Sequence, residues 1–348
     1  MTDLSERISK LSSAKLELLA QRLPQDKQSE RVIPRRARRD TPAVLSYPQQ
    51  RMWILHQLEP DSPALNSAAA VRLRGPLNLA ALNYSLSEIV RRHESLRTTF
   101  QLQDGEPVQV VHEASEWNVA VIDLSLLKDE EQEQALKTVT EREAKRPFAL
   151  AKGPVLRTTL LKLGHEHHIL QMVMHHVVSD GWSMGVLVKE FAALYRAHVR
   201  REASPLPELP LQYADYAEWQ RDWLKSEEAA KQLSYWKHQL SGSSPLLEMP
   251  VDRKRPAVVS YRGATVTFAL EEELIGKLKA LVLAESATLF MVLLAAFKTL
   301  LHRYTTQPEI VVGSNIANRN KGQLENLIGC FVNNLVLRTD LSGNPQFR

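Results

Sequence analysis

Cysteine is almost absent from this chain. Among its 348 residues only Cys330 carries a thiol, so no disulfide can form within the chain and no metal site can be built from several thiolates. Chains that do without disulfides are typical of reducing compartments. We therefore expect a cytoplasmic protein.

Long apolar runs and a large excess of one charge are also lacking. The longest apolar stretch, residues 289–297, is far shorter than the roughly 18 residues of a membrane span, and the first residues lack the apolar core of a signal peptide. Residues 289–297 instead predict a buried helix. The formal net charge is only +4, with acids and bases mixed along most of the chain. We therefore expect neither a membrane nor a nucleic-acid partner.

One dense basic run interrupts this mixture at residues 35–40, "RRARRD". It follows Pro34 and has no interleaved aromatic residues, which favours a solvated linker over the alternative, a phosphate-binding arm.

Length and composition predict a folded protein with about two domains or lobes. With 44% hydrophobic residues the chain can bury a sizeable core. Apolar residues recur at helical spacing over residues 4–23, which predicts a short amphipathic helix or helix pair before a polar linker. The predicted division is residues 1–41 as helix and linker, 42–225 as a first lobe and 226–348 as a second lobe.

Hydrophobic periodicity predicts a mixed α/β (α+β) fold, because helical and strand-like segments alternate along the chain. The pair Asp104-Gly105 is typical of the tight turn of a hairpin. The predicted helices cover residues 81–96, 184–195, 271–285 and 289–297, and the predicted strands cover residues 98–103, 106–112, 167–174, 309–317 and 330–341.

The stretch "QMVMHHVVSDGWSM" places two adjacent histidines, His175 and His176, at the end of an apolar strand. Successive side chains of a strand point to opposite faces, so one of the two is free to face a cleft. A neutral imidazole there is a candidate general base. Asp180 would orient it or hold the loop, and Gly181 would allow a close backbone approach. The alternative is a core histidine followed by an aspartate that caps a helix.

A second histidine-rich run, "HEHH" at residues 165–168, raises the question of a metal site. It lacks the His-Glu-x-x-His spacing of helical zinc sites and instead predicts a charged turn before the strand. We therefore expect no metal.

The motif His-His-x-x-x-Asp-Gly resembles the signature of the condensation domains of nonribosomal peptide synthetases, which are relatives of chloramphenicol acetyltransferase. Four more blocks stand in that family's order and extend the resemblance from about residue 42 to the last residue. They are "LSYPQQRMWIL" at residues 45–55, "RHESLRTTF" at 92–100, "YADYAEW" at 213–219 and "IGCFVNNLVLR" at 328–338. The chain departs from the family pattern at Tyr47, Pro48, Ile54 and Asn334.

The resemblance implies two chloramphenicol acetyltransferase-like lobes in a V, with the second lobe incomplete because family members continue past the "IGCFVN" block. It implies that His176 is catalytic and that His175 is structural. It further implies that Asp180 forms a structural salt bridge to an arginine of the "RHESLRTTF" block, with Arg92 expected as the partner and Arg97 as the alternative.

Five more residues of the motif blocks are expected to have lesser roles. The backbone amide of Gly181 is expected near the developing oxyanion, and Gly329 and Asn333 are expected to line the substrate tunnel. Trp182 is expected in the core. Cys330 is expected to be a small buried residue and not a nucleophile.

The implied activity joins a donor acyl group to the amine of an aminoacyl group, both carried as thioesters on phosphopantetheine arms of carrier proteins. No tightly bound cofactor is expected, because the arms are substrates. The partners would be donor and acceptor peptidyl carrier proteins and adjacent synthetase domains. The donor is expected in trans, since only about 40 residues precede the first block and a domain needs about 50 to 250.

The motif blocks most resemble the subgroup that joins L-donors to L-acceptors. Two alternatives stay open. One is a non-catalytic, truncated module that binds carrier proteins. The other is a free-standing acyltransferase that uses coenzyme A.

Overall fold

The computed structural model of the chain describes residues 32–38, 41–244, 246–254, 256, 263–343 and 345–347. The amphipathic helix predicted over residues 4–23 lies outside the described residues. The helices are α1 Tyr47–Leu58, α2 Leu79–Arg92, α3 Asp129–Lys145, α4 Gly181–Val199, α5 Tyr213–Trp223, α6 Glu227–Gln239, α7 Glu272–Ala284 and α8 Leu289–Thr305.

Within the described ranges the strands form three sheets. They are β1 Ala43–Val44, β2 Asn66–Arg74, β3 Thr98–Gln103, β4 Glu106–Val111, β5 Ala120–Asp123, β6 Leu156–Lys162, β7 His167–His175, β8 Glu309–Ile316 and β9 Asn333–Asp340. The strand orders are β1-β4-β3, β2-β7-β6-β5 and β8-β9. All pairs are antiparallel except β5 with β6. The predicted mixed α/β class is confirmed.

Local sequence explains where these elements begin and turn. Ser46 begins α1 with a capping box, in which its hydroxyl accepts the Gln49 amide N–H and the Gln49 side chain accepts the Ser46 N–H. The β3-β4 hairpin turns at Asp104 and Gly105, whose φ angles are 53° and 83°. Two positive φ angles in succession are typical of a type I′ turn, so the predicted hairpin is confirmed.

The four-stranded sheet separates two parts of the core, because residues of β7 alternate between its faces. Leu170, Met172 and Met174 join one buried cluster with side chains of α2 and α4. Val173 belongs to a different cluster on the other face, together with Cys330. The strand that carries the histidine pair is therefore fixed from both sides.

Residues far along the sequence pack into the first predicted lobe. Leu324, Leu327 and Phe331 are buried in a cluster with Ile33 and Tyr213. A segment numbered after residue 226 thus lies directly beside α5. The domain boundaries and the incompleteness of the second lobe stay predictions.

The helix predicted at residues 289–297 forms as α8, but the prediction that it is buried is wrong. Phe290 is 56% exposed and Phe297 is 48% exposed. Of this helix only Val292, Lys298 and Leu301 are buried. A helix that is apolar all round needs partners on several sides, and the described elements cover one narrow face.

Buried Lys298 anchors that face. Its ammonium donates to the Leu337 carbonyl at 2.7 Å and to the Thr339 hydroxyl at 2.6 Å, which ties α8 to β9. Across the described ranges, no helix taken singly has the length and hydropathy to cross a membrane, and only the pair α7 and α8, bent by 109°, passes that test when taken together.

Candidate active site

His175, the last residue of β7, is sealed inside the protein. Its ring packs edge-on against His56 at 5.1 Å and Phe148 at 5.9 Å between ring centroids. Its Nδ1 accepts the Val177 amide N–H at 3.1 Å. Burial, with the nearby His56, His176 and Arg157, lowers the pKa of His175 to about 3. His175 is therefore neutral at physiological pH, which fits a structural role.

His176 follows the strand and is only half-buried. Its backbone N–H donates to the Leu65 carbonyl at 2.8 Å, which fixes the residue where the chain leaves the sheet. Its Nδ1 lies 3.9 Å from the Cys330 Sγ. Burial raises the pKa of the Cys330 thiol to about 12, so the sulfur stays protonated at neutral pH. The imidazole, and not the thiol, is thus the group suited to proton transfer here.

Asp180 is held by a dense set of bonds at the start of α4. As the N-cap residue it accepts the Ser183 amide N–H at 2.8 Å and the Ser183 hydroxyl at 2.7 Å. Its Oδ2 accepts the Phe331 amide N–H at 3.0 Å. Its ion-pair partner is Arg319, at 3.1 Å. The side chain of Asp180 is 4% exposed and that of Arg319 is 1% exposed. The expectation of a buried structural ion pair agrees with this geometry, but the predicted partner is wrong.

The two arginines expected to pair with Asp180 have other partners. Arg92 forms a buried double contact with Glu190, with both N–O distances 3.2 Å. Arg97 lies 3.8 Å from Glu94 and donates to the His112 carbonyl. Both arginines are therefore bonded to other groups of the first predicted lobe. The partner of Asp180 is instead Arg319, which follows β8.

The segment of residues 328–331, here called the strap, crosses the site beside His176. The Ser183 hydroxyl, whose proton goes to Asp180, accepts the Gly329 N–H at 3.0 Å. The Tyr213 hydroxyl donates to the Cys330 carbonyl at 2.5 Å. The strap is therefore bound through its backbone to side chains of α4 and α5.

The sequence of this chain matches that of a known protein family. The family model for the condensation domain matches residues 40–348. The chain belongs to the condensation-domain family. It is 50% identical over 310 residues to one of the linear gramicidin synthase proteins of Brevibacillus parabrevis, which is 89% of this chain and 4% of that protein. It is 38% identical over 349 residues to phosphinothricin tripeptide synthetase PhsC of Streptomyces viridochromogenes, which is 100% of this chain and 32% of that protein.

The chain thus spans well under two thirds of these curated relatives. Among solved structures it is similar to the X-domain from teicoplanin biosynthesis, with a TM-score of 0.81 and 29% identity over 91% of this chain and 69% of that one. It is also similar to the first condensation domain of the CDA synthetase, with a TM-score of 0.71 and 21% identity over 88% and 72% of the two chains. The second likeness concerns the fold alone, which is the chloramphenicol acetyltransferase-like fold expected from the sequence.

Steric crowding requires a glycine at position 329 of this condensation domain. A Cβ at this position would lie 1.9 Å from the Cδ2 of Tyr213. Only glycine lets the strap approach α5 so closely. Gly329 is buried where the strap packs against Tyr213 of α5, and its predicted role as a tunnel residue stays a prediction.

Other predicted site residues lie at the surface. Gly181 is the exposed first residue of α4, and Asn333 is the exposed first residue of β9. Their predicted roles stay predictions. Trp182 is 47% exposed and its indole N–H donates to the Glu325 carbonyl at 2.8 Å, so its expected place in the core is wrong. The polar tip of the indole bonds a carbonyl at the surface, as is common for tryptophan.

Sequence reasoning missed Arg319 and Ser183. The Arg319 guanidinium donates to the carbonyls of Leu324 and Leu327, to Asp180 and to Ser183. Burial lowers the pKa of Arg319 below its usual value, although the Asp180 charge opposes that effect. The only signal was an arginine just after a predicted strand, in "SNIANRNKG", and nothing in that stretch points to Asp180.

Proposed function

We propose that this chain forms an amide bond between a donor acyl or peptidyl thioester and the amine of an acceptor aminoacyl thioester, each on a carrier protein. His176 is the proposed catalytic residue. One observation carries the proposal: of two adjacent histidines, one is sealed and neutral while the other is half-buried beside a strap bound through its backbone.

The proposed chemistry needs modest base strength. The amine nitrogen attacks the thioester carbonyl, the C–N bond forms, the C–S bond breaks, and the amine proton passes to the departing thiolate. An α-amine has a reference pKa of about 7.7 to 8.0, so part of it is neutral without help. His176 would accept the amine proton, pass it to the departing thiolate, and keep the nitrogen aligned with the carbonyl carbon. The backbone amide of Gly181, at the start of α4, is the proposed donor to the oxyanion.

The proposed substrates are phosphopantetheine arms, which enter as parts of the donor and acceptor carriers and are not resident cofactors. Within the described residues, no group of three or more His, Cys, Asp or Glu side chains is arranged to hold a metal ion. Adjacent synthetase domains are the further proposed partners. We also infer a cytoplasmic location from the single cysteine of the chain.

The direct test mixes the purified chain with one loaded donor carrier and one loaded acceptor carrier and follows the acceptor by intact-protein mass spectrometry. The proposal predicts a mass gain equal to the donor acyl group that depends on His176. Unchanged acceptor mass at saturating carriers, with a folded chain, would contradict it.

A binding module is the second candidate. It is favoured by the likeness to the X-domain, which is solved as a complex with OxyB and aligns with a TM-score of 0.80 and 30% identity. Carrier capture in a pull-down, with no amide product, would support this candidate. Acyl transfer from soluble coenzyme A at the rate seen with the donor carrier would instead support a free-standing acyltransferase.

A further inference from the structure

Two side chains of the first predicted lobe hold the strap at Ile328. The Ser95 hydroxyl donates to the Ile328 carbonyl at 2.7 Å, and the Ile328 N–H donates to the Nδ1 of His93 at 3.3 Å. Ser95 and His93 are 3% and 1% exposed. Both backbone polar groups of Ile328 are therefore hydrogen-bonded to buried side chains, which fixes the first residue of the strap.

Glu190 of α4 decides which nitrogen of His93 can do this. The His93 Nε2 lies 3.0 Å from Glu190 Oε2, and Arg92 binds the same carboxylate. Burial alone would raise the pKa of Glu190, but the bonds from His93 and Arg92 outweigh it and hold that pKa below its usual value. The carboxylate is thus an acceptor, which keeps the His93 proton on Nε2 and leaves Nδ1 free to accept the Ile328 N–H.

We propose that His93 and Glu190 are positioning residues of the condensation reaction, which act through the strap. The carboxylate fixes the His93 tautomer, the tautomer holds Ile328, and Ile328 fixes the strap residue Cys330 beside His176. The effect on turnover rests on the proposed function. The effect on the strap does not.

A purely structural role for this buried cluster predicts something different. If His93 only filled space and satisfied Glu190, any substitution would act through stability alone. If it positions the strap, the bond to Ile328 must matter more than the bond to Glu190. The two imidazole nitrogens can be tested separately. The shorter asparagine side chain places its amide at the position of Nδ1, where it can still accept the Ile328 N–H. The longer glutamine side chain places its amide at the position of Nε2, where it can still donate to Glu190.

Strap opening can be followed without turnover, because Cys330 is the only cysteine of the chain and is fully buried. N-ethylmaleimide forms one adduct per chain, and its rate by intact-protein mass spectrometry reports access to the strap. The experiment compares His93→Asn with His93→Gln in the full 348-residue chain. It measures the adduct rate, the thermal midpoint, and kcat and KM with both carriers loaded.

The proposal predicts that His93→Gln, which keeps the donor to Glu190 but loses the acceptor for Ile328, raises the adduct rate and lowers kcat by about tenfold to a hundredfold, with KM nearly unchanged. His93→Asn should stay within about threefold of the parent chain in both rates. Glu88→Gln is the control, since it removes a partly buried carboxylate that bonds Arg91, which is on the same helix.

Equal adduct rates and equal kcat in the two variants would overturn the proposal, as would a kcat loss with an unchanged adduct rate. If both variants fail to fold, Ser95→Ala replaces them, and an adduct rate equal to that of the parent chain then overturns it. A parent chain without turnover refutes the proposed function, and the adduct rates still decide the role of His93.

Discussion

Replacing Asp180 by alanine should destabilise the protein more than any exposed acidic replacement. The change removes the partner of Arg319, whose side chain is 1% exposed, and leaves that guanidinium beside Phe331, 4.1 Å from the ring centroid. It also removes the cap of α4 and an acceptor for the Phe331 N–H. A cation left inside the protein without its carboxylate is the dominant cost.

The magnitude follows from that cost. Breaking one side of a buried ion pair costs about 3–5 kcal/mol, and loss of an N-cap costs about 1 kcal/mol. The two overlap because the same carboxylate makes both sets of bonds, so we take about 3–5 kcal/mol in total. For domains of 150–250 residues each kcal/mol lowers the thermal midpoint by about 2–4 °C. The midpoint should therefore fall on the order of 10 °C.

The assay is thermal unfolding followed by circular dichroism, with Asp123→Ala as the matched control. Asp123 lies only 2.9 Å from Lys162, closer than Asp180 lies to Arg319, but both side chains are well exposed. Burial, and not distance, should set the ranking, so the control midpoint should barely change. Adding Arg319→Met to Asp180→Ala should restore part of the loss. Equal midpoints for Asp180→Ala and Asp123→Ala would refute this reasoning.

Two further predictions concern packing and surface. Gly329→Ala should lower the free energy of unfolding by at least about 1–3 kcal/mol, because its Cβ would lie 1.9 Å from Tyr213 Cδ2. Gly185→Ala, on the open face of α4, should instead raise it by about 0.5–1 kcal/mol. Urea unfolding measures both changes, and an unchanged stability of Gly329→Ala would contradict the assigned contact. The exposed apolar face of α8 should make the chain self-associate, and Phe290→Lys with Phe297→Lys should reduce this in sedimentation velocity; a parent chain that stays monomeric at high concentration would contradict that expectation.

Local patterns predicted the elements that carry the site. Period-2 alternation along residues 167–175 is enough to place His175 and His176 on different faces, and the structure buries one and leaves the other half-buried. The Asp104-Gly105 turn and the stripe of α4 were predictable for the same reason, since each depends on neighbours in sequence. Asp180 as a helix cap was also within reach, because capping is decided within one turn.

Partners distant in sequence were not predictable. In the sequence nothing distinguishes Arg92 from Arg319. Only the tertiary fold shows that Arg92 pairs with Glu190, whereas Arg319 pairs with Asp180, which lies 139 positions earlier in the chain. The exposure of α8 could not be predicted either, because a helix is buried by what covers it and not by its own composition. The strap's attachment at Ile328 depends on three separate segments and left no local pattern.

The proposed division of labour between the two histidines is tested most directly by one single-turnover measurement. His176→Ala and His175→Ala are each mixed with loaded donor and acceptor carriers at saturation, and acceptor acylation is timed by intact-protein mass spectrometry alongside the thermal midpoint. We expect His176→Ala to keep its midpoint and lose most of its rate, while His175→Ala loses stability first because its ring is buried against His56 and Phe148. A folded His175→Ala that is slower than His176→Ala would contradict the account.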